Sequence, residues 1–244
     1  MLRILLASVV HLTSEVERRY PDLGLGYLAA ALRREFGVDV DVRIIDKGYD
    51  KVIAGYQPHF IGLRSVSHNY NEAKKIARMA HHAKLPVLMG GIHVTALPQS
   101  LDKYMTLACL GEGDETIVSL TRLFLTNDKF RKDDLRQIPG ICFWDGDELI
   151  FTARRSPIAD LDSIPLPTRD LLPIKSHTYM FTSRGCPYRC RFCASSAYWD
   201  KLRFFSADYV VNEIGVLVED YQVKFITFYD DMFVSNVSRL KKYC

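Results

Sequence analysis

The feature that most limits what this chain can fold into is an alternation in its first half, where short apolar runs take turns with amphipathic segments over about five βα units. "RILLASVV" leads to "PDLGLGYLAAALRREFG", in which Leu25, Leu28, Ala29, Leu32 and Phe36 recur at helical spacing and Gly37 supplies a stop. "VDVRIID" and "FIGLRSVS" read as the next two strands, the latter starting just past the breaker Pro58. A helix follows in "NEAKKIARMAHHA", with Ala73, Ile76, Ala77, Ala80 and Ala83 on one face. The strands "PVLMGG" and "MTLACLG" and the helix "DETIVSLTRLFL" complete the series. Continuous apolar runs suit strands buried on both faces, and parallel strands need crossover helices to cover them. The expected class is α/β, a doubly wound parallel sheet over residues 1–134.

Ligands of such a sheet bind outside the carboxyl ends of its strands. The residues expected there are His11, Asp46, Ser65, Ser67, His68, Gly90, Gly91, His93 and the run "GEGDE", which contains Gly111 and Gly113. Glycines let a ligand approach the backbone closely, as a large planar or phosphate-bearing cofactor requires. Paired glycines after a strand are also ordinary turn residues, so the rim alone does not name a ligand.

With 25% charged residues and a net charge of +3, the chain offers no argument for nucleic acid or an anionic membrane as a partner. Ile4 to Val10 is too short for an export signal, lacks a small-residue cleavage site and turns polar at once in "HLTSEVERRY". No apolar run approaches the ~20 residues of a membrane helix. A reducing cytoplasm is therefore the expected setting, where clustered cysteines are metal or redox ligands rather than disulfides.

Residues 135–175 differ in texture. "GICFWDGDELIFTA" reads as a hairpin, and the proline-rich "SPIADLDSIPLPTRDLLPIK" as an extended linker over the surface. Over residues 176–244 the βα pattern starts afresh: the strand "TYMFTS", a helix in "SADYVVNEIGVLVEDY" and the strand "KFITFYDD". Ser206 is the expected cap of that helix, with Val210, Val211, Ile214, Leu217, Val218 and Tyr221 on its apolar face.

Between the first of these strands and the helix lie Cys186, Cys190 and Cys193, spaced C-x3-C-x2-C. Structural zinc is the competing reading, but it wants four closed ligands and no fourth stands nearby. A 4Fe-4S cluster held by three thiolates leaves one iron open to another ligand. Cys109 and Cys142 fall in predicted strands and read as small apolar residues, and Cys244 is terminal.

This triplet after a strand, with Phe192 before its last cysteine, resembles the signature of radical S-adenosylmethionine (SAM) enzymes. The resemblance implies a partial TIM-type (β/α) barrel, SAM on the open iron, Phe192 near its adenine, and a 5′-deoxyadenosyl radical. Asp230 and Asp231 are the candidates to meet the methionine ammonium. The first half resembles the flavodoxin/Rossmann-like cobalamin-binding domain fused ahead of many such enzymes, through "PDLGLGYLAAAL", "GGIHVTALP" and "GEGDET", and "FYDDMF" resembles a later stretch of the same subfamily. That implies cobalamin against Gly90 and Gly91, its nucleotide tail on Ser65 and Ser67, and no D-x-H-x-x-G ligand; His11, His68 and His93 all stay open as axial candidates. The implied function is a cobalamin-dependent radical SAM enzyme, a methyltransferase or cyclase with a small-molecule substrate and a reductant such as flavodoxin or ferredoxin. Only two strands and the start of a second helix follow the linker, so the chain is expected to be an N-terminal portion with an incomplete barrel: a fragment of a longer enzyme, the product of a truncated gene, or a chain whose remainder a partner supplies. A non-catalytic cofactor-binding module is the alternative.

Overall fold

In the computed structural model, which describes residues 1–10 and 20–243, five apolar runs form β1 (Leu2–Ser8), β2 (Val40–Ile45), β3 (Phe60–Arg64), β4 (Val87–Gly90) and β5 (Leu107–Cys109), all parallel. The hairpin strands β6 (Ile141–Asp145) and β7 (Glu148–Phe151) add antiparallel to β5 and complete a seven-stranded sheet of order β2-β1-β3-β4-β5-β6-β7. The hairpin, grouped on sequence with the linker, thus continues the first sheet. The helices are α1 (Leu23–Phe36), α2 (Tyr49–Tyr56), α3 (Tyr70–His82), the short α4 (Ile92–Ala96), α5 (Asp114–Asn127) and the short α6 (Lys132–Leu135).

Successive strand residues point to opposite faces, so β1 feeds two cores. Ile4 and Leu6 meet Leu25, Ala29 and Leu32 of α1 and Ile117, Leu120 and Phe124 of α5. Leu5 and Ala7 meet Ile53 and Tyr56 of α2 and Ala73, Ile76, Ala77 and Ala80 of α3. α1 starts where the Asp22 carboxylate accepts from the Leu25 N–H at 3.4 Å and stops at Gly37, whose φ of 52° is the left-handed conformation a glycine takes readily. In α3 the expected face is shifted: Tyr70 is buried on it, and Ala83 is the exposed residue that ends the helix. Because β2 and β3 flank β1 on either side, strand order reverses between β1 and β3, and a crevice opens there at the carboxyl ends.

The proline-rich segment is an inner wall rather than a surface strap. The Thr168 N–H and Oγ1 both donate to the Gly26 carbonyl of α1, at 3.1 and 3.0 Å. Leu161, Ile164 and Leu172 bury against Leu23 and Tyr27, forming a third core with Met180, Phe205, Val210 and Leu217. The second unit comprises β8 (His177–Met180), β9 (Ser183–Arg184), α7 (Ser195–Tyr198), β10 (Arg203–Phe204), α8 (Ala207–Glu219), β11 (Phe225–Phe228) and α9 (Val237–Leu240). β8 pairs in parallel with β11, and β9 antiparallel with β10.

α8 is capped as expected, Ser206 Oγ accepting from the Tyr209 N–H at 3.1 Å, but its faces differ from the apolar pattern. Val211 and Val218 are exposed, whereas Glu213 is 1% exposed and takes Arg169 of the linker at 2.5 Å. A buried carboxylate needs such a partner, and the partner is remote in sequence. Among the described residues no helix is long and apolar enough to cross a membrane.

Candidate functional site

The crevice is a cavity of about 460 Å³ between the two units. One wall is the sheet rim, with Gly90, Gly91, Gly111 and Gly113. The facing wall carries Tyr179, Phe181, Tyr198, Trp199, Tyr229 and Asp231 from the second unit, together with Ser183, Arg184 and Gly185, which lead into the cysteine loop. A cavity whose lining sets apolar and aromatic side chains beside the charged Asp22, Arg64, Glu112, Asp114, Arg184 and Asp231, at a reversal of strand order, is the setting for a large organic ligand with polar edges.

The rim glycines differ in what they permit. A Cβ on Gly111 would meet nothing within 4 Å, and one on Gly90 would lie 3.8 Å from the Leu63 carbonyl, so these edges are open. Gly91 is constrained by its own chain: φ is 106° and a Cβ would sit 2.3 Å from the Ser65 carbonyl oxygen. A bulky residue at Gly91 therefore disrupts the β3–β4 rim before it touches any ligand. Gly113 backs onto Leu28, 3.1 Å from where its Cβ would be.

Of the polar residues expected on the rim, Ser65 is 1% exposed with no hydrogen-bond partner for its Oγ. Ser67 Oγ lies 3.0 Å from His93 Nδ1, and Ser100 Oγ 3.0 Å from His93 Nε2, while the ring packs at 3.9 Å on Tyr70. Both imidazole nitrogens are thus engaged inside the protein, and burial holds the ring's pKa below the ordinary histidine value. His93 belongs to this network and not to the crevice wall, which removes it as an axial candidate. His68 and Asp46 are exposed and also off the wall. His11 lies outside the described residues.

Sequence reading missed several wall residues. Asp22 caps α1 and also accepts from Ser8 Oγ at 2.7 Å and Arg64 Nη1 at 3.0 Å. An Asp immediately before a periodic apolar run is a cap signal, and it was legible. Tyr179 and Tyr198 carried no such sign. Burial pushes both phenols up to about 12, so they stay protonated at neutral pH and donate, Tyr179 to the Pro21 carbonyl and Tyr198 to the Gly111 carbonyl, each at 2.9 Å.

The paired carboxylates at the end of β11 have separate tasks. Asp230 accepts four bonds of 2.7–2.9 Å from the N–H and hydroxyl groups of Thr182 and Ser183, fixing the strand that enters the cysteine loop. With its oxygens so occupied, it is not an acid left over for an ammonium group. Asp231 bonds Ser195 Oγ and faces the crevice.

Gly185 turns the chain from β9 into the loop with φ at 97°; a Cβ there would lie 2.6 Å from the Lys201 carbonyl oxygen. Cys186 is half-buried, and Cys190 and Cys193 are exposed, the Cys193 N–H donating to the Cys190 carbonyl at 3.1 Å. No helix or strand interrupts residues 185–194, and Phe192 is 93% exposed. Among the described residues no three metal-ligating side chains are gathered closely enough to share one ion, and none of the cysteines is in a disulfide. Three soft thiol donors on a chain without regular structure fit an iron–sulfur cluster that gathers its own ligands. Cys109 is half-buried on the crevice wall and Cys142 is buried; burial pushes their thiols up to about 12 and about 11, so neither is a ready thiolate.

A family model described as the B12 binding domain matches residues 10–121. Over 241 residues the chain is 31% identical to an uncharacterised methyltransferase of Pyrococcus horikoshii, covering 90% of this chain and 50% of that protein. It is 27% identical over 251 residues to the anaerobic magnesium-protoporphyrin IX monomethyl ester cyclase of Cereibacter sphaeroides, covering 95% of this chain and 40% of the other. Two solved structures share the fold across 100% of this chain. The radical S-adenosylmethionine methyltransferase TsrM of Kitasatospora setae matches with a TM-score of 0.74 at 16% identity over 50% of its own length. The cobalamin-dependent S-adenosylmethionine radical enzyme OxsB matches at 0.76 and 19% over 36% of its length. The chain spans half or less of the length of each of these relatives.

Proposed function

We propose that this chain is the cofactor-assembling part of a cobalamin-binding radical SAM enzyme that transfers a methyl group or closes a ring on a small molecule. In this reading cobalamin occupies the crevice, Cys186, Cys190 and Cys193 hold a 4Fe-4S cluster, and SAM takes the iron they leave open. A cluster held there and reduced by a flavodoxin or ferredoxin would supply the one electron that reductive cleavage of a SAM carbon–sulfur bond requires.

The observation that supports the reading is the shared cavity. Gly90 and Gly111 open one wall, and Ser183, Arg184 and Gly185, the approach to Cys186, form part of the other. The chain's own residues then bind and orient. Tyr179 and Tyr198 join the two units across the cavity, their neutral hydroxyls donating to the Pro21 and Gly111 carbonyls. Asp231 is the acid left on the wall for a cationic group such as the methionine ammonium. Phe192, exposed between two of the cysteines, is the ring this reading assigns to the adenine.

Anaerobic reconstitution tests this. The chain should take up about four irons and co-elute with hydroxocobalamin, and Cys190→Ala should lose the iron while keeping the cobalamin. Zinc saturating the wild-type site where iron does not, or cobalamin failing to co-elute with folded protein, would overturn it. Cobalamin uptake without iron would instead indicate a non-catalytic cofactor module.

A further inference from the structure

We propose that Glu112 and Asp114 are positioning residues that lock Arg184 and Arg203 and so fix where the cysteine loop stands relative to the crevice. The inference rests on the functional reading above for what the loop carries, though not for the lock itself. Arg184 ends β9, two residues ahead of Cys186, and is paired in register with Arg203 of β10. Glu112 stands in the rim loop between β5 and α5 and Asp114 is the first residue of α5, both in the run expected only to let a ligand approach.

All four carboxylate oxygens are used. Glu112 Oε1 accepts from Arg184 Nη1 at 2.9 Å and Arg203 Nη2 at 3.0 Å. Its Oε2 accepts from Arg203 Nη1 and from the Ile158 N–H, at 2.9 and 2.8 Å. Asp114 takes Arg184 through both oxygens, at 2.9 and 3.1 Å. Two cations and two anions balance, and each of the four side chains is no more than 9% exposed.

Such a lock specifies geometry more than it adds stability. Burying charges costs desolvation that pairing only repays, but a planar guanidinium fork accepts a bidentate partner in one arrangement. Burial also leaves it much less screened by salt. From Arg184 the chain has no slack before the first cysteine, because Gly185 already lies against the Lys201 carbonyl. A shift of the ribbon β9–β10 on the rim therefore moves Cys186 with it. The linker is tied into the same knot, since Arg203 Nη1 also donates to the Ile158 carbonyl at 2.5 Å.

The test uses Glu112→Gln, which keeps shape and loses charge, and Arg203→Lys, which keeps charge and loses the fork. In the cofactor-free chain, hydrogen exchange over residues 183–205 should accelerate about tenfold or more in each variant, with β1 and β3 unchanged. Asp114→Asn, which releases only Arg184, should do less. In the loaded protein the magnetic coupling between cob(II)alamin and the reduced cluster should change in Glu112→Gln while iron and cobalamin contents stay at wild-type values, a result a merely structural role would not give. Unchanged exchange and unchanged coupling in both variants would overturn the proposal. If the wild type takes up neither cofactor, the functional reading falls, and the exchange measurement still decides the lock.

Discussion

The crevice rim and the cysteine loop face the same cavity and are built in opposite ways. The rim hangs on strands whose residues are buried on both faces, and its tightest point, Gly91, rests against the Ser65 backbone. The loop has no regular structure, and every residue from 187 to 194 is exposed. A pre-formed cavity suits a large organic cofactor, since little ordering cost remains to be met on binding. A metal cluster forms strong bonds and can order its own ligands. The chain thus spends its packing where the ligand cannot organise the protein.

The largest expected effect separates the two glycines. Gly91→Ala forces a Cβ into a backbone oxygen at a positive φ and should cost the sheet about 3 kcal/mol or more, measured by denaturant unfolding followed in the far ultraviolet. Gly185→Ala meets a similar conflict with Lys201, but in the second unit. It should leave the sheet transition in place and reduce iron uptake. Equal loss of sheet stability in both would mean that the two walls are one cooperative body and the contrast is false.

A second pair sharpens the contrast with the same side chain on each side of it. Phe60 is fully buried in β3, and Phe60→Ala should destabilise by about 3–5 kcal/mol through lost burial and the cavity left behind. Phe192→Ala removes a ring that is 93% exposed and should change unfolding by no more than about 0.5 kcal/mol. A large cost for Phe192 would show that the loop packs against something in solution.

What was legible follows the same division. The five parallel strands, the helix α1 with its stop at Gly37 and the hairpin all announce themselves by periodicity or turn chemistry within a dozen or so residues. α2 passed unread because only Ile53 and Tyr56 of its eight residues are buried, too few to show a period. β9 and β10 are two residues each and carry no period at all. The linker's prolines suggested surface, yet Leu161, Ile164 and Leu172 are buried by α1, a contact set by tertiary docking. In the site, spacing marks the cysteines as candidates, and the glycines expected from their place after strands line the crevice. The partners of Asp230, Glu112 and Asp114 were not legible, because those bonds join residues 46 to 91 positions apart and leave no local pattern.

The smallest expected effect concerns the rim's own polar network and is read by pH. His93 sits neutral between Ser67 and Ser100, its pKa lowered by burial and then by the nearby Lys74. The unfolded chain takes up that proton near pH 6.5, and the folded ring resists until a lower pH. A depressed folded value means the contribution is fully present above about pH 6.5 and is lost as pH falls through the folded value, where the unfolded state binds more protons. The sheet transition should therefore weaken on acidification from about pH 7 to 5, and His93→Gln, which can still bond both serines, should flatten that slope. The amide should cost little at pH 7, because the ring's contact with Tyr70 is the main thing it gives up. If the variant melts as steeply with acid as the wild type, the sensitivity lies in another group, and the imidazole does no more than fill space beside Tyr70.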